Sequence, residues 1–243
     1  MKLMTSLSFD NLIEFYQKKH NVRFNNSSVT ALKCIFAKGV DISRYADPKY
    51  DHRQLSEIYA GICENLDVSL YDHEAFDADQ MCELRQGLKD GLDITVYRDA
   101  DYSNCHMSYI RQCLEDGIEV TYLLNKDLDP YQAQLIDVGL HRKLDVSKYA
   151  NSQLPLSEVK SIFMQLEKEQ ELRHRNQLFA SSVSFKALIE EYESKYDKQI
   201  KLSILKTLYD KYVRGIELTN EKIKATIDKY YVSPRLKSWY EIC

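Results

Sequence analysis

The sequence predicts an all-α chain: a helical-repeat solenoid with one helix plus a short turn per 26-residue unit and helical caps at both ends. Three observations carry this. Tetrads of the form hydrophobic-Asp-hydrophobic-Ser/Thr begin at Val40, Leu66, Leu92, Ile118 and Leu144, an ungapped period of 26 residues with Glu119 replacing the Asp once. A fixed period of about 20–50 residues is the signature of a stacked array. Apolar residues then recur at i, i+3 and i+7 in the second half of each unit, the stripe of a helix packed on one side. Finally, 7 Gly and 4 Pro in 243 residues, with 18 Tyr, argue against a turn-rich β fold and against long disordered linkers. The expected organisation is an N-terminal helical cap over residues 1–39, five repeats over 40–169 and a C-terminal helical domain over 170–243.

Taken in chain order, residues 28–39 already follow the helical half of the unit, with Val29, Leu32 and Phe36 on its stripe. Counting from Val40 as position 1, position 4 (Ser43, Ser69, Thr95, Thr121, Ser147) is expected to cap a single turn that carries the position-6 residue inward: Tyr45, Tyr71, Tyr97, Leu123, Tyr149. Position 12 (Asp51, Asp77, Ser103, Asp129) with Gln54, Gln80, His106 and Gln132 three residues on reads as a capping box, in which each side chain satisfies a free backbone N–H of the other residue. Pro130 suits the first helical position. Positions 16, 19 and 23 form the stripe, as in Leu55, Ile58 and Ile62 or Met81, Leu84 and Leu88. Glycine at position 22 (Gly61, Gly87, Gly139) costs about 1 kcal/mol inside a helix, so its recurrence points to close approach of the neighbouring unit. Asn65, Gly91 and Gly117 at position 26 suit a left-handed helix end.

The array ends where Pro155 breaks the capping series and the chain reads from Glu158 as one longer helix to about Ala180. Beyond it, Ser184-Phe185-x-x-Leu188-Ile189-Glu190-x-Tyr192 echoes Ser8-Phe9-x-x-Leu12-Ile13-Glu14-x-Tyr16, and the same offset aligns Leu32 with Leu208 and Gly39 with Gly215. A second copy of the opening module is therefore expected over residues 184–219.

The strings Gly39-Val-Asp-Ile-Ser-Arg-Tyr-Ala-Asp-Pro-Lys-Tyr-Asp and Gln80-Met-Cys-Glu-Leu-Arg-Gln-Gly-Leu-Lys-Asp-Gly-Leu-Asp-Ile resemble a family of bacterial, mobile-element-type tandem-repeat proteins whose units read GLDVSxYADPxFDxxQMxEIRxGLxxG. The resemblance covers residues 39–166 and implies architecture, with no activity attached.

Charge divides unevenly. The net −4 resolves into +4 over residues 1–39, −11 over 40–166 and +3 over 167–243. An acidic body does not suit duplex DNA, whose binders need a basic stripe to displace counterions. No nucleotide loop, nucleophile elbow or His-x-x-x-His pair is present, so no catalytic residue, cofactor or metal ligand is expected. Asp99-Ala-Asp101 lacks the glycine and bidentate Glu of a calcium loop and reads as a solvated loop. The cysteines, without a Cys-x-x-Cys spacing, read as reduced and structurally incidental. No signal-type or membrane-spanning apolar run occurs, and a cytoplasmic chain without membrane partners is expected. The function expected is non-enzymatic protein binding through acidic repeat loops, with Asp47, His73, Glu74, Asp99, Asp101, Asn125 and Asp127 facing the partner and exposed helix residues such as Arg53, Asp79, Gln86 and Gln112 beside them. Such a surface fits a basic, nucleic-acid-binding groove, as on a phage-defence (CRISPR) protein that an acidic inhibitor would block. The alternative is direct nucleic-acid binding through the C-terminal cluster Arg235, Lys237, Trp239 and Tyr240.

Overall fold

The computed structural model describes residues 8–232, and among them it has helices and no strand: α1 (Phe9–His20), α2 (Asn26–Ala37), α3 (His52–Cys63), α4 (Ala78–Lys89), α5 (Asn104–Glu115), α6 (Pro130–His141), α7 (Leu156–Ala180), α8 (Val183–Tyr196), α9 (Leu202–Val213) and α10 (Asn220–Val232). No helix among them is long and apolar enough to cross a membrane. The chain forms two compact units that divide between Phe163 and Met164, inside α7.

In the first unit the sequence period becomes a structural one. Helices α2 to α7 start 26 residues apart, and α2 to α6 are each 12 residues long. Helix α2 is itself a repeat helix: Asn25, at the capping register, accepts from the Ser28 N–H at 2.7 Å. Consecutive helices from α1 to α6 pack in order, the arrangement of a helical repeat.

Capping boxes close α3, α4 and α6 through Asp51–Gln54, Asp77–Gln80 and Asp129–Gln132. The glutamines do more than cap. Gln54 Nε2 donates to the Phe76 carbonyl at 2.6 Å, Gln80 Nε2 to Tyr102 at 2.5 Å and Gln132 Nε2 to Leu154 at 2.7 Å. One side chain thus holds its own helix and the turn of the next unit. His106 in α5 has no box, and its Nε2–H donates to the Leu123 carbonyl at 2.6 Å instead. At the other helix ends Asn65, Gly91, Gly117 and Lys143 are left-handed, with φ of 58°, 74°, 68° and 58°. Lys143 takes this conformation with a side chain, at a cost of about 1–2 kcal/mol.

Two expectations are corrected here. The single turns of the second to fifth units are 3₁₀, and in two of them position 2 is the cap: Asp67 and Asp93 accept from the Ser69 and Thr95 N–H groups at 3.1 and 3.0 Å, while Asp145 makes no such bond. The position-4 hydroxyls point back at that carboxylate, as in Ser69 Oγ to Asp67 at 2.6 Å. Glu119 in the fourth unit makes no such bond either and its turn (Thr121–Leu123) starts one residue late, whereas the turn after Asp145 starts in register. In α3 to α6 the buried stripe is positions 16, 19 and 22 rather than 23, because Gly61, Gly87, Cys113 and Gly139 are buried while Ile62, Leu88, Leu114 and Leu140 are half-buried at the margin; in α7 Leu166 at position 23 is buried as expected.

The position-22 glycines have a specific cause. Tyr71, Tyr97 and Tyr149 are fully buried, and their hydroxyls donate to the Glu57, Glu83 and Leu135 carbonyls of the preceding helix at 3.1, 3.4 and 3.0 Å. A Cβ on Gly61, Gly87 or Gly139 would sit 1.9 Å from the tyrosine oxygen. The exceptions fall together: the helix that carries Cys113 instead of glycine meets Leu123 instead of tyrosine. In the first unit, where Ile35 stands at the glycine register of the preceding helix, Tyr45 donates instead to the buried Asp72 carboxylate at 2.9 Å.

In the second unit α8 to α10 bury Phe185, Ile189, Tyr192, Ile204, Leu205, Leu208, Ile223 and Ile227 around a common core. The duplication expected from sequence has structural counterparts. Helices α1 and α8 end in left-handed Asn21 and Asp197, and Gly39 and Gly215 share the left-handed conformation after α2 and α9. Gln17 Oε1 accepts from the Phe24 N–H at 3.0 Å, and its counterpart Glu193 Oε1 accepts from the Ile200 N–H at 2.6 Å.

Candidate protein-interaction surface

Two solvent-facing rows run along the repeats, one on the loops and one on the helices. The loop row holds the acidic residues singled out from sequence, and its position 8 has a local task in every unit. Asp47, Asp99, Asn125 and Asn151 each accept from the N–H two residues on, all at 3.0 Å, and His73 Nδ1 does the same for Ala75 at 3.2 Å. An Asx-type acceptor stabilises such a turn, so residues that differ in type share one backbone role. Their charges are also partly met. Lys126 binds Asp99 and, at 3.2 Å, Asp101, and it holds the Asp99 carboxyl below its ordinary range together with the Asp101 N–H. Glu74 is lowered by a backbone hydrogen bond and by Lys49 at 3.3 Å. Asn125 Nδ2 donates to Ser152 at 3.3 Å. Asp127 is exposed.

The helix row is built from positions 14, 17 and 21. Its first members, Arg53, Asp79, Cys105 and Tyr131, are all exposed and share no chemistry. Ser56, Cys82, Ser108 and Gln134 follow, then Ala60, Gln86, Gln112 and Val138, each exposed or half-buried. Arg53 meets Asp79 of the next helix at 2.5 Å across the surface; such an exposed pair contributes about 0–1 kcal/mol and leaves both groups open to exchange partners. Below this row, semi-buried ion pairs link successive units: Arg85 to Glu57 and Glu64 at 2.9 and 2.8 Å, and Arg111 to Glu83 at 2.8 Å.

The alternative cluster Arg235, Lys237, Trp239 and Tyr240 lies outside the described residues. Two groups were missed from sequence. Asp72 is 1% exposed and accepts from Arg44 at 2.6 Å and Tyr45 at 2.9 Å, while burial pushes its carboxyl up. Cys113 is not incidental: its thiol donates to Asp137 at 3.5 Å, and burial beside that carboxylate pushes it up to about 12. In register, Asp72 stands where the adjoining units have Ala46 and Arg98, and Cys113 where they have glycine; the replacement is the signal, but it does not reveal the partner. Comparison of the chain with protein-family models, curated proteins and solved structures finds no match.

Proposed function

We propose that the chain is a non-enzymatic protein-binding repeat module whose recognition surface is the variable helix row. One observation carries this reading. Positions 2, 8, 12 and 15 repeat a backbone hydrogen bond in most units and position 22 a buried glycine, whereas Arg53, Asp79, Cys105 and Tyr131 at position 14 repeat only their exposure. A fixed scaffold with a variable face is how repeat proteins present an extended binding surface. The scaffold also sets the field around that face: the capping carboxylates Asp41, Asp67, Asp93, Asp51, Asp77 and Asp129, and Asp145 at the same register as the first three, are all exposed. They contribute to the −11 of residues 40–166, and complementary charge favours a partner with a basic groove. Occupying the nucleic-acid-binding groove of another protein, such as a phage-defence nuclease, is the finer form of this proposal.

The test is affinity capture by the full chain from host lysate, with and without nuclease, alongside the variant Asp79→Lys/Gln112→Lys. One stoichiometric protein that survives nuclease, weakens as salt rises and is lost by the variant is the expected result. Recovery that disappears with nuclease would reject it and shift function to direct nucleic-acid binding.

A further inference from the structure

The junction between α5 and α6 differs from its neighbours in three positions at once. At the two preceding junctions the equivalent residues are Gly61, Arg85 and Lys89, then Gly87, Arg111 and Glu115; here they are Cys113, Asp137 and His141. The tyrosine wedge is missing, because Leu123 replaces it, and so is the arginine that bridges to the preceding helix. The donor groups that replace them converge. Cys113 Sγ lies 3.5 Å from Asp137 Oδ1, His141 Nδ1 lies 3.1 Å from the same oxygen, and one donor atom from each of the three residues falls within 4.8 Å of the others. From the far side His141 Nε2 meets Asp116 Oδ2 at 3.1 Å.

We propose that Cys113, Asp137 and His141 form a zinc-type divalent-metal site that clamps α5 to α6 in place of the tyrosine wedge and arginine bridge of the two preceding junctions. Tetrahedral zinc with bonds of about 2.0–2.3 Å has donor–donor edges of about 3.3–3.6 Å, and the two edges from Asp137 are already near that size. A thiolate, an imidazole and a carboxylate suit a borderline-soft cation and not calcium or magnesium, which take oxygen ligands. Asp116 plays the outer-shell part: by accepting from Nε2–H it leaves Nδ1 as the ligating nitrogen. His141 Nδ1 also lies 2.9 Å from the Asp137 carbonyl, which can only accept. Metal therefore displaces a proton from Nδ1 and another from the Cys113 thiol, both of which pass to buffer. The His141 side chain is 31% exposed, which opens the site to solvent and leaves room for water as the fourth ligand.

The experiment uses tag-free, full-length protein stripped of metal and titrated with zinc and with cobalt(II). The expected result is one high-affinity equivalent, release of protons measured as a buffer-dependent heat, a raised Tm and a thiolate-to-cobalt charge-transfer band. Cys113→Ser abolishes the band, Asp116→Asn weakens binding about 10- to 100-fold, and Cys82→Ser leaves both unchanged. Should Cys113→Ser fail to fold, His141→Gln at the part-exposed ligand reports the same loss. Equal metal affinity in wild type, Cys113→Ser and His141→Gln, or no cobalt–thiolate band in wild type, would overturn the site.

Discussion

Tyr97 and Gly87 show how tightly single residues are coupled across a unit boundary. Replacing a helix-interior glycine by alanine ordinarily stabilises by about 1 kcal/mol. Here the added methyl would meet Tyr97 Oη at 1.9 Å and Ile94 Cγ2 at 2.9 Å. Gly87→Ala is therefore expected to destabilise by about 1–3 kcal/mol in urea unfolding, and the loss should shrink in a Tyr97→Phe background. Equal losses in both backgrounds would remove the coupling. His106 makes a pH prediction. Burial lowers its pKa, partly offset by its bond to Leu123, so near pH 6 the unfolded chain binds the proton more readily than the folded one. Stability contributed by neutral His106 is present above the unfolded pKa and lost as pH falls below about 6.5. Wild type should lose stability relative to His106→Gln between pH 7 and 5, read as the difference in urea midpoints. The glycine recurrence was legible as close approach; its partner was not, because the tyrosine stands ten residues further on and only the fold brings the two together.

For the helices, the most informative residue is the capping glutamine. An N-cap Asp77→Ala should cost about 1 kcal/mol. Gln80→Glu keeps the acceptor that serves the Asp77 N–H but loses the amide donor to Ala100 and Tyr102, at 3.0 and 2.5 Å, and sets a carboxylate against two carbonyls. Its expected cost is about 1–3 kcal/mol, larger than that of Asp77→Ala by thermal and urea unfolding. A cost below that of Asp77→Ala would mean the link to the next unit contributes little. Helix existence, order and caps were readable because propensity, capping chemistry and periodicity agree at Asp51, Asp77 and Asp129. What was misread is local reach: Asp67 and Asp93 at position 2 reach the N–H two residues on, a bond that Glu119, one methylene longer, does not make. The opening module and its second copy were legible as an offset pattern, and the Gln17 and Glu193 side chains that brace their turns were not, since Gln and Glu break the identity while keeping the acceptor.

As a whole, a repeat array should tolerate loss of one period and fail on a fraction of it. Removing residues 78–103 joins Asp77 to Asn104 and lets α5 occupy the register of α4, with Arg111 in the place from which Arg85 reaches Glu57 and Glu64. This deletion should fold to a helical protein with one cooperative transition and reduced stability, whereas removing residues 78–90 should not; circular dichroism with urea unfolding distinguishes them. The candidate site was legible only in part. Sequence picked out the loop acids and the exposed helix residues, but the turn-forming bonds of Asp47, Asp99 and Asn125 became visible only in the structure, because they depend on the backbone path of the loop. The measurement that bears most directly on the central claim is a saturation mutant scan of the full chain read in two channels, cellular abundance and capture of the partner. Substitutions at positions 2, 8, 12, 15 and 22 should lower abundance, and those at 14, 17 and 21 should lower capture at unchanged abundance. A stripe that is neutral in both channels, with Asp99, Asp101 or Asp127 controlling capture alone, would contradict it.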